Sequence, residues 1–189
     1  MKILHIAAFA LLFPFCVSAG SDAAAGSMFF PQLTAQKLDD SLVILPYDVT
    51  KTSRVSYIIL TYKRPPDSDM ETWVRPFKEK YGSNTLTAHY SVALVGDIGF
   101  LNGIIFNGMK GSAVPEMKEH LLVFFGNKDL YKKELSAHDD SLIYAYVLDQ
   151  KGAIRLSLSG KTAEKKQVES VLSAVDSLLP AKKTQKKSK

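Results

Sequence analysis

The sequence predicts an α/β domain built on a central mixed sheet with helices on both faces. Val55 to Tyr62 is a continuous apolar run rich in β-branched and aromatic residues, as a strand covered on both sides requires. Such runs alternate with stretches whose apolar residues recur at helical spacing, which is the pattern of βαβ units. Near the end, LIYAYVL and AIRLSLS are joined by Asp149-Gln150-Lys151-Gly152, a hairpin signature that adds antiparallel strands at one side.

In order, LTAQKLDDSLVILPYDV reads as a short hairpin with Asp39-Asp40 at its turn and Leu33, Leu38, Leu42, Ile44 and Pro46 partly buried. The central strand must stop at Lys63-Arg64-Pro65-Pro66, because proline cannot donate to a sheet ladder. Ser68 and Glu71 have the spacing of a capping box for the next helix. There Met70, Trp73, Val74, Phe77 and Tyr81 share one face, Pro76 bends the helix and Gly82 closes it. Ala88 to Val95 is a second strand. DIGFLNGIIFNGMK is expected to be a helix capped by Asp97 and weakened by three glycines. His120 to Asn127 is a third apolar strand, and Lys128 to Leu135 one or two helical turns. After the hairpin, Thr162 to Leu179 carries Val168, Val171, Leu172, Val175, Leu178 and Leu179 on one stripe and is stopped by Pro180.

The 189 residues suffice for one domain with a core, expected over residues 29–180. Residues 1–19 have the positive, apolar and small-residue parts of a secretory signal, which predicts a periplasmic or secreted protein. Residues 20–28 read as a linker. The only cysteine, Cys16, lies in the signal, and Phe15 stands where lipoproteins carry a small residue, which disfavours a lipid anchor. The domain itself therefore has no thiol for disulfides, thiolate metal sites or thiol chemistry. The formal charge of +5 is concentrated at the ends: five lysines lie in the last eight residues, and without them and Lys2 there are 18 basic and 19 acidic residues. Residues 181–189 read as a disordered basic tail, of a kind that is more often a solvated terminus and that can contact anionic membrane.

His89, His120 and His138 show no metal-ligand spacing, although His89 and His120 start strands that could be neighbours. Asp39-Asp40 and Asp139-Asp140 read as solvated turn pairs, and no Gly-x-Ser-x-Gly elbow accompanies Ser68 or Ser141. Neither glycine cluster, Gly96 to Gly103 or Gly108 to Ser112, has the spacing of a nucleotide loop. No metal, cofactor or nucleic acid is expected. Arg64, Pro65, Ser68, Trp73 and Arg75 form the candidate partner-binding set, with the loop and helix N-terminus offering a place for an anion or peptide carboxylate. Trp73 also fits the core stripe.

The element order resembles the thioredoxin-like fold in its peroxiredoxin-type elaboration. Phe30-Pro31, Trp73 with Pro76-Phe77, Phe100-Leu101 through Gly108-Met109, and YAYVLDQKGAIRLSLSG resemble the thioredoxin-related assembly factors of mitochondrial ATP synthase and their bacterial relatives. The resemblance spans about Phe30 to Val175. It implies a binding protein for a subunit of a membrane complex rather than an enzyme. The Cys-x-x-Cys that opens the first helix in thioredoxins is replaced by Asp67-Ser68-Asp69-Met70-Glu71, and the cis-proline before the hairpin by Asp139-Asp140-Ser141-Leu142. Ile154-Arg155-Leu156 stands where the assembly factors typically have Ile-Arg-Trp. The reading is an exported, non-catalytic binding or assembly module with a protein partner, membrane-associated in one form. A peroxiredoxin-related redox protein and a periplasmic small-ligand binder stand as alternatives, and the sequence leaves the oligomeric state open.

Overall fold

The computed structural model describes residues 28–180. The expected signal with Cys16 and the expected basic tail lie outside the described residues, as does nearly all of the expected linker.

Seven strands form one sheet. An antiparallel pair, β1 (Leu33–Lys37) and β2 (Leu42–Leu45), comes first, followed by a short helix α1 (Tyr47–Thr52). Strand β3 (Val55–Thr61) leads into α2 (Asp67–Tyr81), then β4 (Thr87–Leu94) and the helices α3 (Leu101–Ser112) and α4 (Pro115–Lys118). Strand β5 (Leu121–Phe124) and α5 (Lys128–Glu134) precede the hairpin of β6 (Ile143–Asp149) and β7 (Ile154–Gly160), and α6 (Lys165–Leu178) closes the described chain. The spatial order is β2-β1-β5-β4-β3-β6-β7. Strand β3 pairs in parallel with β4 and antiparallel with β6, and all seven of its residues are buried, as its unbroken apolar run predicts.

Each face of the sheet has its own helices. On one, Ile58, Leu60, Val92, Leu94, Leu122, Tyr144 and Tyr146 pack with Val49 of α1 and Tyr131 of α5. On the other, Val55, Tyr57, Ile59, Ala145 and Val147 meet Trp73, Phe77 and Tyr81 of α2 and Val171 and Val175 of α6. Phe106 of α3 packs against Val123 and Leu38 farther along the same side. The lower hairpin turn tucks under Pro46: Gly152 has φ +80°, and a Cβ there would stand 2.8 Å from the proline Cγ. Glycine alone suits both requirements.

Four local expectations differ from the structure. Leu42, expected to be partly buried, is 68% exposed because the buried side of β2 is Val43 and Leu45, while Ile44 and Pro46 are half-buried as expected. The sequence reading placed no helix over Tyr47 to Thr52, where Asp48 accepts the Ile44 backbone N–H at 2.7 Å and folds the segment back on β2. Helix α2 starts at Asp67, one residue before Ser68, so Ser68 and Glu71 form no capping box; the capping box lies instead on α6, between Glu164 and Gln167. Asp97 does not cap α3. Its carboxylate accepts the Gly99 N–H and the Asn102 amide, bracing the turn before the helix.

Candidate functional site

In open sheets of this kind the loops that leave the carboxyl ends of the parallel strands converge and supply the binding crevice. Here that edge gathers Tyr62 to Pro66 after β3, Gly126 and Asn127 after β5, and, because β6 runs antiparallel to β3 with Thr61 opposite Ile143, the segment entering β6. Asn127 caps α5 by accepting the Asp129 N–H. The short α5 then projects two lysines toward the loop at Asp139 and Asp140.

Lys132 bonds Asp140 at 2.7 Å and approaches Asp129 at 3.3 Å, with Lys128 3.9 Å from Asp140. The Lys132 hydrogen bond, supported by the charges of Lys128 and Lys63, holds the Asp140 carboxyl below the usual carboxylate range, and Asp140 raises Lys132 in turn. Beneath them the Tyr62 ring lies 5.5 Å from the Lys132 ammonium and edge-on to Tyr144. The Tyr62 hydroxyl is buried without a hydrogen-bond partner among the described residues, and burial raises its pKa well above the ordinary phenol value. Tyr144 fixes the loop: its hydroxyl accepts the Asp139 backbone N–H at 3.0 Å and donates to the Asp139 carbonyl at 2.9 Å. Asp139 accepts the Ser141 N–H, and the Ser141 hydrogen bonds lower its pKa. The result is a pinned, charged rim over an aromatic floor. It can position a partner's polar groups, and it carries no thiol.

The five residues singled out from sequence do not lie together. Arg64, Pro65 and Ser68 share the loop and the first turn of α2, where Arg64 and Ser68 are exposed and Pro65 is half-buried. Arg64 approaches Asp67 at 3.7 Å, and Ser68 donates to Asp69. With Asp67 and Asp69 in its first turn, the positive end of α2 already faces carboxylates of its own chain. Arg75 lies two turns farther on, on the outer face, 3.9 Å from Glu79. Trp73 is 3% exposed and belongs to the core under α2 and α6. The adjoining void, between Trp73, Phe77, Val168 and Val171, is about 10 Å³, room for one water.

The Tyr62, Lys132, Asp140 and Tyr144 cluster escaped the sequence reading, since its members come from three distant segments. The one available signal was the alternation of YAYV, which puts Tyr144 and Tyr146 on one face. At the opposite end of the sheet His89 and His120 meet, with rings stacked at 3.9 Å, as their neighbouring strands allow. Burial, the His120 ring and Lys78 push the His89 pKa down to about 4, and burial also lowers that of His120. Among the described residues no group of three or more His, Cys, Asp and Glu side chains is placed to hold a metal ion, and no helix is long and apolar enough to cross a membrane.

No protein-family model matches the sequence, and no curated protein matches it. Solved structures do. Yeast Sco1 is 16% identical with a TM-score of 0.53, the match covering 82% of this chain and 98% of that one. BsSco, a member of the Sco family of cytochrome c oxidase assembly proteins, is 11% identical with a TM-score of 0.55, over 80% of this chain and 94% of its own. A thiol-disulfide oxidoreductase from Bacteroides fragilis is 11% identical with a TM-score of 0.51, over 78% and 98%. At such identities the likeness is one of architecture, and with the mixed sheet and its two helical layers it shows that the chain has the thioredoxin-like fold.

Proposed function

We propose that this chain is an exported, non-catalytic thioredoxin-like module that holds a protein partner during assembly of a membrane complex, as the thioredoxin-related ATP synthase assembly factors do. One observation carries the reading. At the start of α2, where thioredoxin-like enzymes keep their reactive cysteines, this chain has Asp67-Ser68-Asp69-Met70-Glu71, and its one cysteine is Cys16, outside the domain. A thiolate is the nucleophile of disulfide and peroxide chemistry, and no other side chain at this edge takes its place. The assembly role named for BsSco on the same architecture supports the reading, as do the local patterns around Phe30, Trp73 and Tyr144.

The contact surface in this reading is the carboxyl edge of the sheet. Arg64, Pro65 and Ser68 lie on its α2 side, and Lys63, Lys128 and Lys132 surround the pinned Asp139-Asp140 loop. The partner is a protein with an acidic or carboxylate-bearing segment. Arg75 marks how far the contact extends along α2.

Crosslinking pull-down from envelope membranes tests this. A partner captured by the native protein and lost with Arg64→Glu is the expected result, and Arg75→Glu reports on the outer extent. Unchanged capture by both variants removes this edge from the contact, and clear turnover in insulin-disulfide reduction or peroxide consumption overturns the non-catalytic reading.

A further inference from the structure

From Ile98 to Met109 the sequence IGFLNGIIFNGM contains no charged residue. Its helix, α3, fully buries only Phe106. The outer face carries Phe100, 85% exposed, and Ile104, 63% exposed, with Gly103, Gly108 and Gly111 along it; at each of these glycines the space a Cβ would occupy is open for 4 Å. Successive face positions 100, 104, 108 and 111 are thus bulky, bulky, empty and empty. Val114 and Met117 of the adjoining segment are exposed as well. A soluble surface rarely concentrates so much bare apolar side chain without a use for it.

We propose that this face is a dimer contact in which α3 packs antiparallel against α3 of a second copy. The pattern is self-complementary under a two-fold axis, as an isologous contact requires. Phe100 of each copy lies over Gly111 of the other, and Ile104 over Gly108, so side chains fill hollows and the backbones approach closely. Charge selects the same direction. Asp97 precedes the uncharged stretch and Lys110 follows it, so antiparallel pairing brings opposite signs together and parallel pairing opposes like signs. The flank after α3 carries Lys110 and Lys118 against Glu116 and Glu119, with no net positive charge to draw it to anionic lipid. A specific contact has to bury on the order of 1,000 Å², so the exposed flank of Val114 and Met117 belongs to it together with α3. The contact is independent of the partner-binding reading, because it uses a different helix.

The test is sedimentation of protein produced from the full chain. A concentration-dependent dimer is expected, weakened roughly tenfold or more by Ile104→Lys, which puts a charge into the contact, and similarly by Gly108→Leu, which fills the hollow. Thermal unfolding of the dissociated Ile104→Lys protein should match that of the dissociated native protein, since the side chain faces solvent. In a Cys16→Ser background, Ile104→Cys should be joined between copies by a short bismaleimide, and Ser170→Cys on α6 should not. A native protein that sediments as a monomer at every attainable concentration overturns the proposal, as does an Ile104→Lys protein that dimerises equally well. Flotation of a monomeric native protein with phosphatidylglycerol vesicles would assign the face to lipid and overturn it too.

Discussion

The rings of His89 and His120 stack with centroids 3.9 Å apart and planes inclined at 26°, while His120 Nδ1 lies 3.2 Å from the His89 carbonyl oxygen. The groups around the pair are Phe77, Tyr90, Lys78, Glu119 and Lys37. Two charged imidazoliums cannot share that space. Because the folded His89 pKa is about 4, against roughly 6.5 when unfolded, the unfolded chain binds the proton more readily. The His89 contribution to stability is therefore full above about pH 7, falls as pH drops below about 6.5 and is lost near 4, a change of up to about 3 kcal/mol. Urea unfolding between these limits checks it. His89→Phe should flatten that slope, and an unchanged slope would refute the assignment.

Tyr144→Phe removes both hydrogen bonds to Asp139. A cost of about 1 kcal/mol is expected, since the freed loop groups are near water. Amide exchange at Asp139 should accelerate while β6 stays protected, because the ring itself continues to pack against Tyr62.

The Lys132–Asp140 pair is about three-quarters buried on both sides. A double-mutant cycle with Lys132→Met and Asp140→Asn should give a coupling of about 1 kcal/mol, above the value for exposed pairs such as Arg64–Asp67. Added salt should weaken it. A coupling near zero would show that the pair leaves the loop's position to Tyr144 alone.

Trp73 is the single tryptophan, so intrinsic fluorescence reports directly on the packing of α2 against α6. Its emission should be blue-shifted in the folded protein and move to the red on unfolding. Trp73→Ala should cost roughly 3–5 kcal/mol. Trp73→Phe should cost markedly less, because the buried indole N–H has no hydrogen-bond partner among the described residues to lose.

What the sequence made legible was the set of long elements. A continuous run such as Val55 to Tyr62 has few ways to be satisfied other than a central strand, and the stripe on α2 could point only inward. Short elements obeyed tertiary contacts instead. Leu42, expected to be partly buried, is exposed because the pairing of β2 with β1 leaves Val43 and Leu45 on its buried side. The helix at Tyr47 depends on Asp48 folding back on Ile44, a contact invisible to periodicity. The site suffered most: Tyr62, Lys132 and Asp140 meet only because β3, α5 and the approach to β6 end at the same edge. Phe100 and Ile104 lay in a helix whose existence was read correctly, but periodicity alone does not say which apolar positions the sheet leaves uncovered.

The placement of β3 also sets the timetable of folding. Its partners are β4, soon after it, and β6, where Ile59 faces Ala145. Until the ribosome has delivered the stretch through Asp149, one whole edge of the most apolar strand stays bare. Contacts this distant in sequence slow folding and leave sticky intermediates. The central strand is thus made well before the strand that seals it, so a chaperone has its longest opportunity while roughly the first three-quarters of the described residues are emerging.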